Sequence, residues 1–271
     1  MITASIVTYI KEKNADKKNE LRTVVRCVLS SIIDRLFIID NSPTDALKNI
    51  EELQADKVTY IHNNRNLGYG TAHNIALKQA INLKSDYHLV LNPDIFFEKD
   101  VIDALKKYMD DNEDVGSVMP KVVYPNGEIQ YLCKLQPGPV DLFGRRFLPP
   151  KLMESRNYKY ELRQYEYNRL LNVPCLSGCF MFLRTKALED IGLFDESFFL
   201  YFEDVDMYRR IHKKYKTIFF PDVTIVHSHE RKSYKSKKLL FIHIKSAIRF
   251  FNKYGWFFDK ERKEINKKVH L

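Results

Sequence analysis

Glycine, cysteine and tryptophan are all scarce in this 271-residue chain, at 9, 4 and 1 residues. Four cysteines, Cys27, Cys133, Cys175 and Cys179, are too few for a disulfide scaffold. Only the last two are close, at a spacing unlike a zinc ribbon. Reduced, buried thiols are therefore expected. No uninterrupted apolar run approaches the roughly 20 residues that span a bilayer. The chain enters the apolar stretch Ile2 to Tyr9 with neither a basic leader nor a small-residue cleavage site, so a cytoplasmic protein without a spanning helix is expected. There is no internal repeat, no low-complexity tract and no P-loop lysine pattern. Gly68-Tyr69-Gly70 lacks the third glycine of a dinucleotide fingerprint and follows the third strand, which argues against hydride transfer and kinase chemistry.

What is present is a core-forming composition, 45% apolar and 13% aromatic, enough for one large α/β domain or two small ones. The net charge of +9 suggests nucleic acid until it is located along the chain. Residues 231–271 hold 13 Lys/Arg against 3 acids, leaving 31 against 32 for residues 1–230. The body is neutral and the tail basic, so no nucleic-acid partner is expected.

The first half alternates short β-rich runs with helical stretches, the pattern of a parallel sheet with helices on its faces. Ile2 to Tyr9, Leu36 to Asp40, Val58 to Asn63 and Tyr87 to Asn92 read as strands. Leu21, Val24, Val25, Val28, Leu29 and Ile32 recur at helical spacing, and Thr71 to Leu83 reads as a second helix. In such sheets ligands bind beyond the carboxyl ends of the strands. Here those ends carry Thr8-Tyr9, Asp40-Asn41-Ser42, Asn64 to Gly70 and Asn92-Pro93-Asp94. The second half shows strands near Gly116 to Tyr124, Gly178 to Arg184 and Val223 to His227, and a helix from about Asp204 to Lys213. Leu132 to Leu171 lacks periodicity and is expected to be a mobile loop over the site.

Several motifs carry two readings. Asn92-Pro93-Asp94 places a carboxylate at the ligand edge, able to hold a hard cation, but all three residues also favour turns. Phe198 to Arg210 delivers Glu203, Asp204 and Asp206 to a helix start, where they would either complement the dipole or supply a general base. His227 and His229 share a strand face and could meet a metal or phosphate, or be structural. Gly68-Tyr69-Gly70 suits either phosphate approach to backbone amides or a plain turn. From Ser236 to Trp256, Leu240, Ile244, Ala247, Phe251 and Tyr254 form one stripe and Lys245, Arg249 and Lys253 another. That helix would lie on anionic lipid or dock on the domain.

Taken in order, the segments SIVTY (Ser5 to Tyr9), IIDNS (Ile38 to Ser42), NRNLGYGTAHN (Asn64 to Asn74), LNPD (Leu91 to Asp94), LSGCFMFLR (Leu176 to Arg184), GLFDESFFLYFEDVD (Gly192 to Asp206) and VHSHERKS resemble the inverting glycosyltransferases of family 2, and most of all the bacterial rhamnosyltransferase-like subset. The resemblance implies an α/β fold of GT-A type, a Rossmann-like mixed sheet flanked by helices, with a basic amphipathic helical tail. It implies a catalytic domain over 1–230, its nucleotide-sugar half 1–118 and acceptor half 119–230, and the tail over 231–271. By resemblance Thr8, Asp40, Asn66 and Gly68 contact the nucleotide, with Tyr9, Asn41, Tyr69, Asn74 and Asn92 completing the donor set. Asp94 and His227 would hold Mg²⁺ or Mn²⁺, Asp204 would be the base with Glu203 beside it, and His229 and Asp206 would support. The usual Asp-x-Asp metal motif begins here with Asn92, so only one carboxylate is supplied.

The implied reaction joins a dTDP- or UDP-sugar, dTDP-rhamnose foremost, to a saccharide hydroxyl. The acceptor would be lipid-linked, as in O-antigen or capsule assembly, with the tail touching the inner membrane face. A nucleotidyltransferase shares the sheet and the metal carboxylate but has less use for an acidic helix start. A noncatalytic binding module would not need acids on two separate segments.

Overall fold

A computed structural model describes residues 1–10, 15–228 and 236–269. The first strands are β1 (Ile2–Thr8), β2 (Arg35–Asp40), β3 (Val58–His62) and β4 (Tyr87–Leu91), with helices α1 (Ala15–Leu29) and α2 (Tyr69–Asn82) between them. Next come β5 (Ile95–Phe96), α3 (Val101–Asp110), β6 (Val115–Val123), a short α4 (Arg145–Phe147), α5 (Pro150–Tyr160), β7 (Leu171–Asn172), β8 (Phe180–Arg184) and α6 (Thr185–Ile191). The chain continues through α7 (Glu203–His212), β9 (Lys216–His227), α8 (Lys237–Tyr254) and α9 (Lys260–Lys267). Among the described residues the strands form one mixed sheet in the order β3-β2-β1-β4-β8-β6-β9-β5, with β7 paired to β9.

The period of two explains how both faces of the sheet are covered. Ile2, Ala4 and Ile6 of β1 and Leu36 and Ile38 of β2 share a core cluster with Leu21, Val24, Val25 and Val28 of α1. The alternate residues Phe37 and Ile39 pack with Ala72 and Ala76 of α2. On the α2 side the sheet also buries a polar chain. Thr3 Oγ1 meets His88 Nδ1 at 2.7 Å, Ser5 Oγ meets His88 Nε2 at 2.8 Å, and Ser5 Oγ meets His73 Nδ1 at 2.8 Å.

Parallel pairing aligns Thr8 with Asp40 and Asp40 with His62, bringing three strand ends side by side. β8 then runs antiparallel to β4, with Leu91 opposite Phe180, and the Asn92 N–H continues the ladder to the Cys179 carbonyl at 2.9 Å. β5 pairs antiparallel with β9, Ile95 opposite His227. These registers carry Asp94 and His227 to the same edge as the parallel strand ends.

Two expectations need correction. The stretch 132–171 is an ordered unit, containing a π turn at Val140–Gly144, α4 and α5. Its anchor is the buried Glu161, which accepts from Arg145 and Arg163, and the Tyr167 hydroxyl, which donates to the Glu161 carbonyl at 2.8 Å and accepts from the Cys133 N–H at 2.9 Å. The last strand starts at Lys216, because Lys216 to Phe220 pair in parallel with β6 before the irregularity near Pro120.

The helix of the tail docks on the body. Ala247, Phe250 and Phe251 of α8 form a second apolar cluster with Phe198 and Phe202. Ser246 Oγ donates to the Leu200 carbonyl at 2.8 Å. No described helix is long and apolar enough to cross a membrane.

Candidate active site

The edge at the carboxyl ends of β1 to β3 is built from turns that bond to one another. Asp40 is buried and accepts from the Ser42 N–H at 2.8 Å and the Tyr60 hydroxyl at 2.6 Å. Asn41 Nδ2 donates to the Gly68 carbonyl at 2.9 Å, and its Oδ1 accepts from Asn63 Nδ2 at 2.9 Å. Asn66 is exposed, and its Oδ1 accepts from the Gly68 N–H at 2.9 Å. Thr8 is buried at the end of β1 and Tyr9 is exposed beyond it.

Gly68 cannot be another residue. Its φ is +87°, and a Cβ there would lie 2.2 Å from the Phe199 carbonyl oxygen. That close approach lets the Tyr69 N–H donate to the same oxygen at 2.9 Å, fixing the first turn of α2 against the 194–202 segment. Asn74 completes this clamp. Its Nδ2 donates to the Phe194 carbonyl at 2.9 Å and to Glu196 Oε1 at 3.1 Å, while its Oδ1 accepts from the Phe194 N–H at 3.0 Å. Both amide protons are committed to the protein and the side chain is buried, so Asn74, expected in the donor set, is a brace between α2 and the 194–202 segment.

The Tyr69 hydroxyl donates to the Gly178 carbonyl at 2.6 Å. Burial, together with Cys179, Glu203, Asp204 and Asp94 around it, holds this phenol well above its ordinary pKa. Tyr69 therefore marks the place where the two acidic segments meet. The Gly178 N–H donates to Asp204 Oδ2 at 2.9 Å, and the Val205 N–H donates to Asp204 Oδ1 at 2.9 Å. Both oxygens keep spare lone pairs, and Asp204 remains partly exposed.

Glu203 differs sharply from its neighbour. It is buried, and desolvation followed by the Asp204 charge pushes its carboxyl well above the usual carboxylate range. Its Oε2 has no hydrogen-bond partner among the described residues. Glu203 is thus closed off from the open side of the site, whereas Asp204 of the pair is the carboxylate that an incoming group can reach. Asp206 is also corrected. It is fully buried and accepts from Arg210 at 2.9 Å, Lys253 at 2.6 Å and the Tyr254 hydroxyl at 2.7 Å, which ties α8 to α7 instead of supporting the pocket.

His227 Nε2 lies 3.4 Å from Asp94 Oδ1. Its Nδ1 faces Gln130 Oε1 at 2.9 Å, and Gln130 Nε2 donates to the His227 carbonyl at 2.7 Å. With the amide so oriented Oε1 must accept, so Nδ1 carries a proton and Nε2 points at Asp94. Burial opposes a charged ring, but Cys179 and Asp94 beside it outweigh that and raise its pKa to about 10. Asn92 is partly buried and joins this edge through its backbone. His229 lies outside the described residues.

A divalent cation fits this donor set on chemical grounds. Asp94 offers a hard oxygen, and His227 offers Nε2, oriented by Gln130, once the incoming cation displaces the proton that Cys179 and Asp94 favour there. Among the described residues no group of three or more His, Cys, Asp or Glu could hold a cation. A cation held there would need oxygens from a bound diphosphate, as Mg²⁺ commonly does.

Gln130, Gly178 and Phe199 were missed as site residues. Gly178 stood inside the LSGCFMFLR segment, and Gln130 had no motif to announce it.

The sequence profile of the family described as Glycosyl transferase family 2 matches residues 6–192. The chain belongs to glycosyl transferase family 2. It is 26% identical over 205 residues to the N-acetylglucosaminyl-diphospho-decaprenol L-rhamnosyltransferase of Mycobacterium tuberculosis, covering 71% of this chain and 66% of that enzyme. A low-salt glycan biosynthesis hexosyltransferase, Agl10 of Haloferax volcanii, is 25% identical over 183 residues, 67% of this chain and 54% of that protein. This family 2 chain thus spans about two thirds or less of the length of these relatives. Its fold is similar to the mannosyltransferase PcManGT of Pyrobaculum calidifontis solved with GDP-Man and Mn²⁺, with a TM-score of 0.57 at 18% identity over 92% of this chain and 64% of that one. TarS of S. aureus solved with UDP-GlcNAc gives a TM-score of 0.57 at 15% identity, covering 93% and 66%. The architecture of the family 2 chain is accordingly the GT-A glycosyltransferase fold.

Proposed function

We propose that this glycosyltransferase is inverting and assisted by Mg²⁺ or Mn²⁺. It would take a hexose from a nucleotide-sugar donor, dTDP-rhamnose foremost, to a saccharide hydroxyl of a lipid-linked acceptor. The observation that carries the reading is the partly exposed Asp204 carboxylate fixed on the Gly178 N–H, at the edge that also holds Asp94 and His227. The kinship with a rhamnosyltransferase acting on a diphospho-decaprenol acceptor supports the choice of sugar and acceptor.

The donor nucleotide would lie along Thr8, Asp40, Asn41, Asn66 and Gly68, placing its diphosphate toward Asp94 and His227. Asp94 and His227 would hold a divalent cation, which would supply neutralisation of the charge on the departing diphosphate. Asp204 aligns the acceptor hydroxyl and takes its proton as the acceptor oxygen bonds to the anomeric carbon. The bond from that carbon to the diphosphate oxygen breaks in the same displacement, so configuration inverts and nucleoside diphosphate leaves. Glu203 stays buried behind the base, where desolvation disfavours its charged form.

The test is to incubate the protein with Mn²⁺ and a panel of dTDP- and UDP-sugars and follow nucleoside diphosphate release. Pyrophosphate formation from sugar 1-phosphate and a nucleoside triphosphate, without such release, would replace this reading with a nucleotidyltransferase.

A further inference from the structure

The helix α8 has a second face. Ser246, Ala247, Phe250 and Phe251 turn toward the body and are buried. At 3.6 residues per turn this leaves Lys238, Phe241, Lys245, Ile248, Arg249 and Asn252 on the opposite side. All six are exposed, Phe241 by 69% and Ile248 by 41%. The face is preformed, because the Ser236 hydroxyl caps the helix start from the Leu239 N–H at 3.4 Å and Ser246 Oγ pins its middle to the Leu200 carbonyl.

The charge of this helix is of one sign. Its 18 residues contain no acid. Lys253 is engaged by Asp195 and Asp206. Among the described residues Lys237, Lys238, Lys245 and Arg249 form no ion pair, so four cations stand toward solvent.

The mixture of side chains decides what such a face can meet. Phe241 and Ile248 lie about two turns apart with Lys245 between them, so apolar groups and cations share one surface. An anionic bilayer answers both, its phosphates the cations and the boundary beneath them the apolar side chains. Nucleic acid would answer the cations but gives an aliphatic side chain such as Ile248 little to bury against. A second copy of this chain in a two-fold contact would set these cations against one another.

We propose that α8 is the element through which the domain meets a membrane, its outer face lying on the headgroups of an anionic bilayer. The same helix reaches the site: Leu240 and His243 line a cavity of about 720 Å³ that His227 lines as well. A bilayer met through α8 therefore lies near the edge where the proposed lipid-linked acceptor would be used. That consequence rests on the acceptor reading; the lipid contact itself does not.

Co-sedimentation of the full chain with vesicles measures the contact, with no nucleotide or acceptor present. One set of vesicles is phosphatidylcholine alone, the other phosphatidylcholine with phosphatidylglycerol. The protein is expected to bind the anionic set, less so as salt is raised, and not the neutral set. Each basic residue near such a surface contributes about fivefold in affinity, so Lys245→Gln combined with Arg249→Gln should weaken binding about 25-fold. Phe241→Ser should weaken it roughly tenfold or more at unchanged charge. Lys107→Gln, which removes an exposed cation of α3, should change it by less than about twofold. All four positions are exposed, so the variants should melt as the parent chain does. Absence of binding to anionic vesicles, or binding that the α8 substitutions leave unchanged, overturns the proposal. So does an equal loss in Lys107→Gln, which would reduce the attraction to net charge. Tighter binding to duplex DNA, abolished by the same α8 substitutions, would give the face to nucleic acid, and a dimer dispersed by Phe241→Ser would give it to a second copy. Vesicle binding without any sugar transfer would contradict the proposed function and leave this inference standing; transfer to a soluble acceptor without vesicle binding would do the reverse.

Discussion

Gly178 and Asp204 are fitted to one another: the Gly178 N–H donates to Asp204 Oδ2 at 2.9 Å, and a Cβ on Gly178 would stand 2.9 Å from the Asp204 Cβ. The glycine is required by that close approach and not by its dihedral angles. Gly178→Ala should therefore push Asp204 out of line while the fold survives. Displacing a reacting group by about 1 Å costs roughly 10²-fold in rate, and kcat should fall by that order. Steady-state kinetics beside a thermal melt checks it; a normal kcat would mean that this contact does not position Asp204.

Gln130 acts on His227 at one remove. Gln130→Leu leaves the ring free to turn and should raise the Mn²⁺ concentration needed for half-maximal activity by roughly 10- to 100-fold, the usual cost of losing such a support. Because the described residues offer Asp94 and His227 and no larger ligand group, Mn²⁺ should bind the enzyme much more tightly with a nucleoside diphosphate present than without. Paramagnetic titration of Mn²⁺ with and without dTDP or UDP measures this. Equal binding in both cases would point to a cation site independent of the donor.

The tail is wired to α7 through a buried ion cluster. Arg209 is buried and donates to Asp259 at 2.7 and 2.9 Å and to Glu261 at 2.7 Å. Arg209→Met leaves Asp259 facing an apolar side chain, and breaking one partner of such a pair costs about 3–5 kcal/mol. Urea unfolding should show that loss; a change below about 1 kcal/mol would fall in the range of exposed ion pairs and contradict the buried-cluster account.

Acid should loosen the domain before it protonates most carboxylates. Burial lowers His88 to about 3, His212 to about 4, and His73 well below its ordinary value. A histidine depressed on folding contributes stability that is complete above its unfolded pKa near 6.5 and is lost as pH falls toward the folded value. Each such group should cost on the order of 2 kcal/mol by pH 5. Urea midpoints at pH 7, 6 and 5 check this, and His88→Gln should flatten the decline. Midpoints unchanged from pH 7 to 5 would contradict it.

The strand ends were legible because parallel register aligns residues such as Thr8 and Asp40 once the period-two runs are recognised. The acidic helix start was legible because Glu203, Asp204 and Asp206 are adjacent. Their separate fates were not, since Asp206 is decided by Lys253 and Tyr254 far along the chain. Gly68 likewise needs Phe199, and Asn74 needs Phe194, contacts that no local spacing announces. The 132–171 unit escaped because α5 buries only Met153 and Tyr160, too few for a helical stripe, and its order comes from Glu161 and Tyr167. The apolar stripe of the tail was visible, but not the Phe198 and Phe202 surface it covers.

Asp204 as the base is the centre of the account, and Asp204→Asn tests it most directly. The variant keeps an oxygen for the Gly178 N–H and loses the capacity to take a proton. Sugar transfer, followed as nucleoside diphosphate release with Mn²⁺ and acceptor, should fall by about 10²- to 10⁴-fold, while the donor Kd by calorimetry stays within about threefold. Near-normal turnover in Asp204→Asn would contradict the assignment.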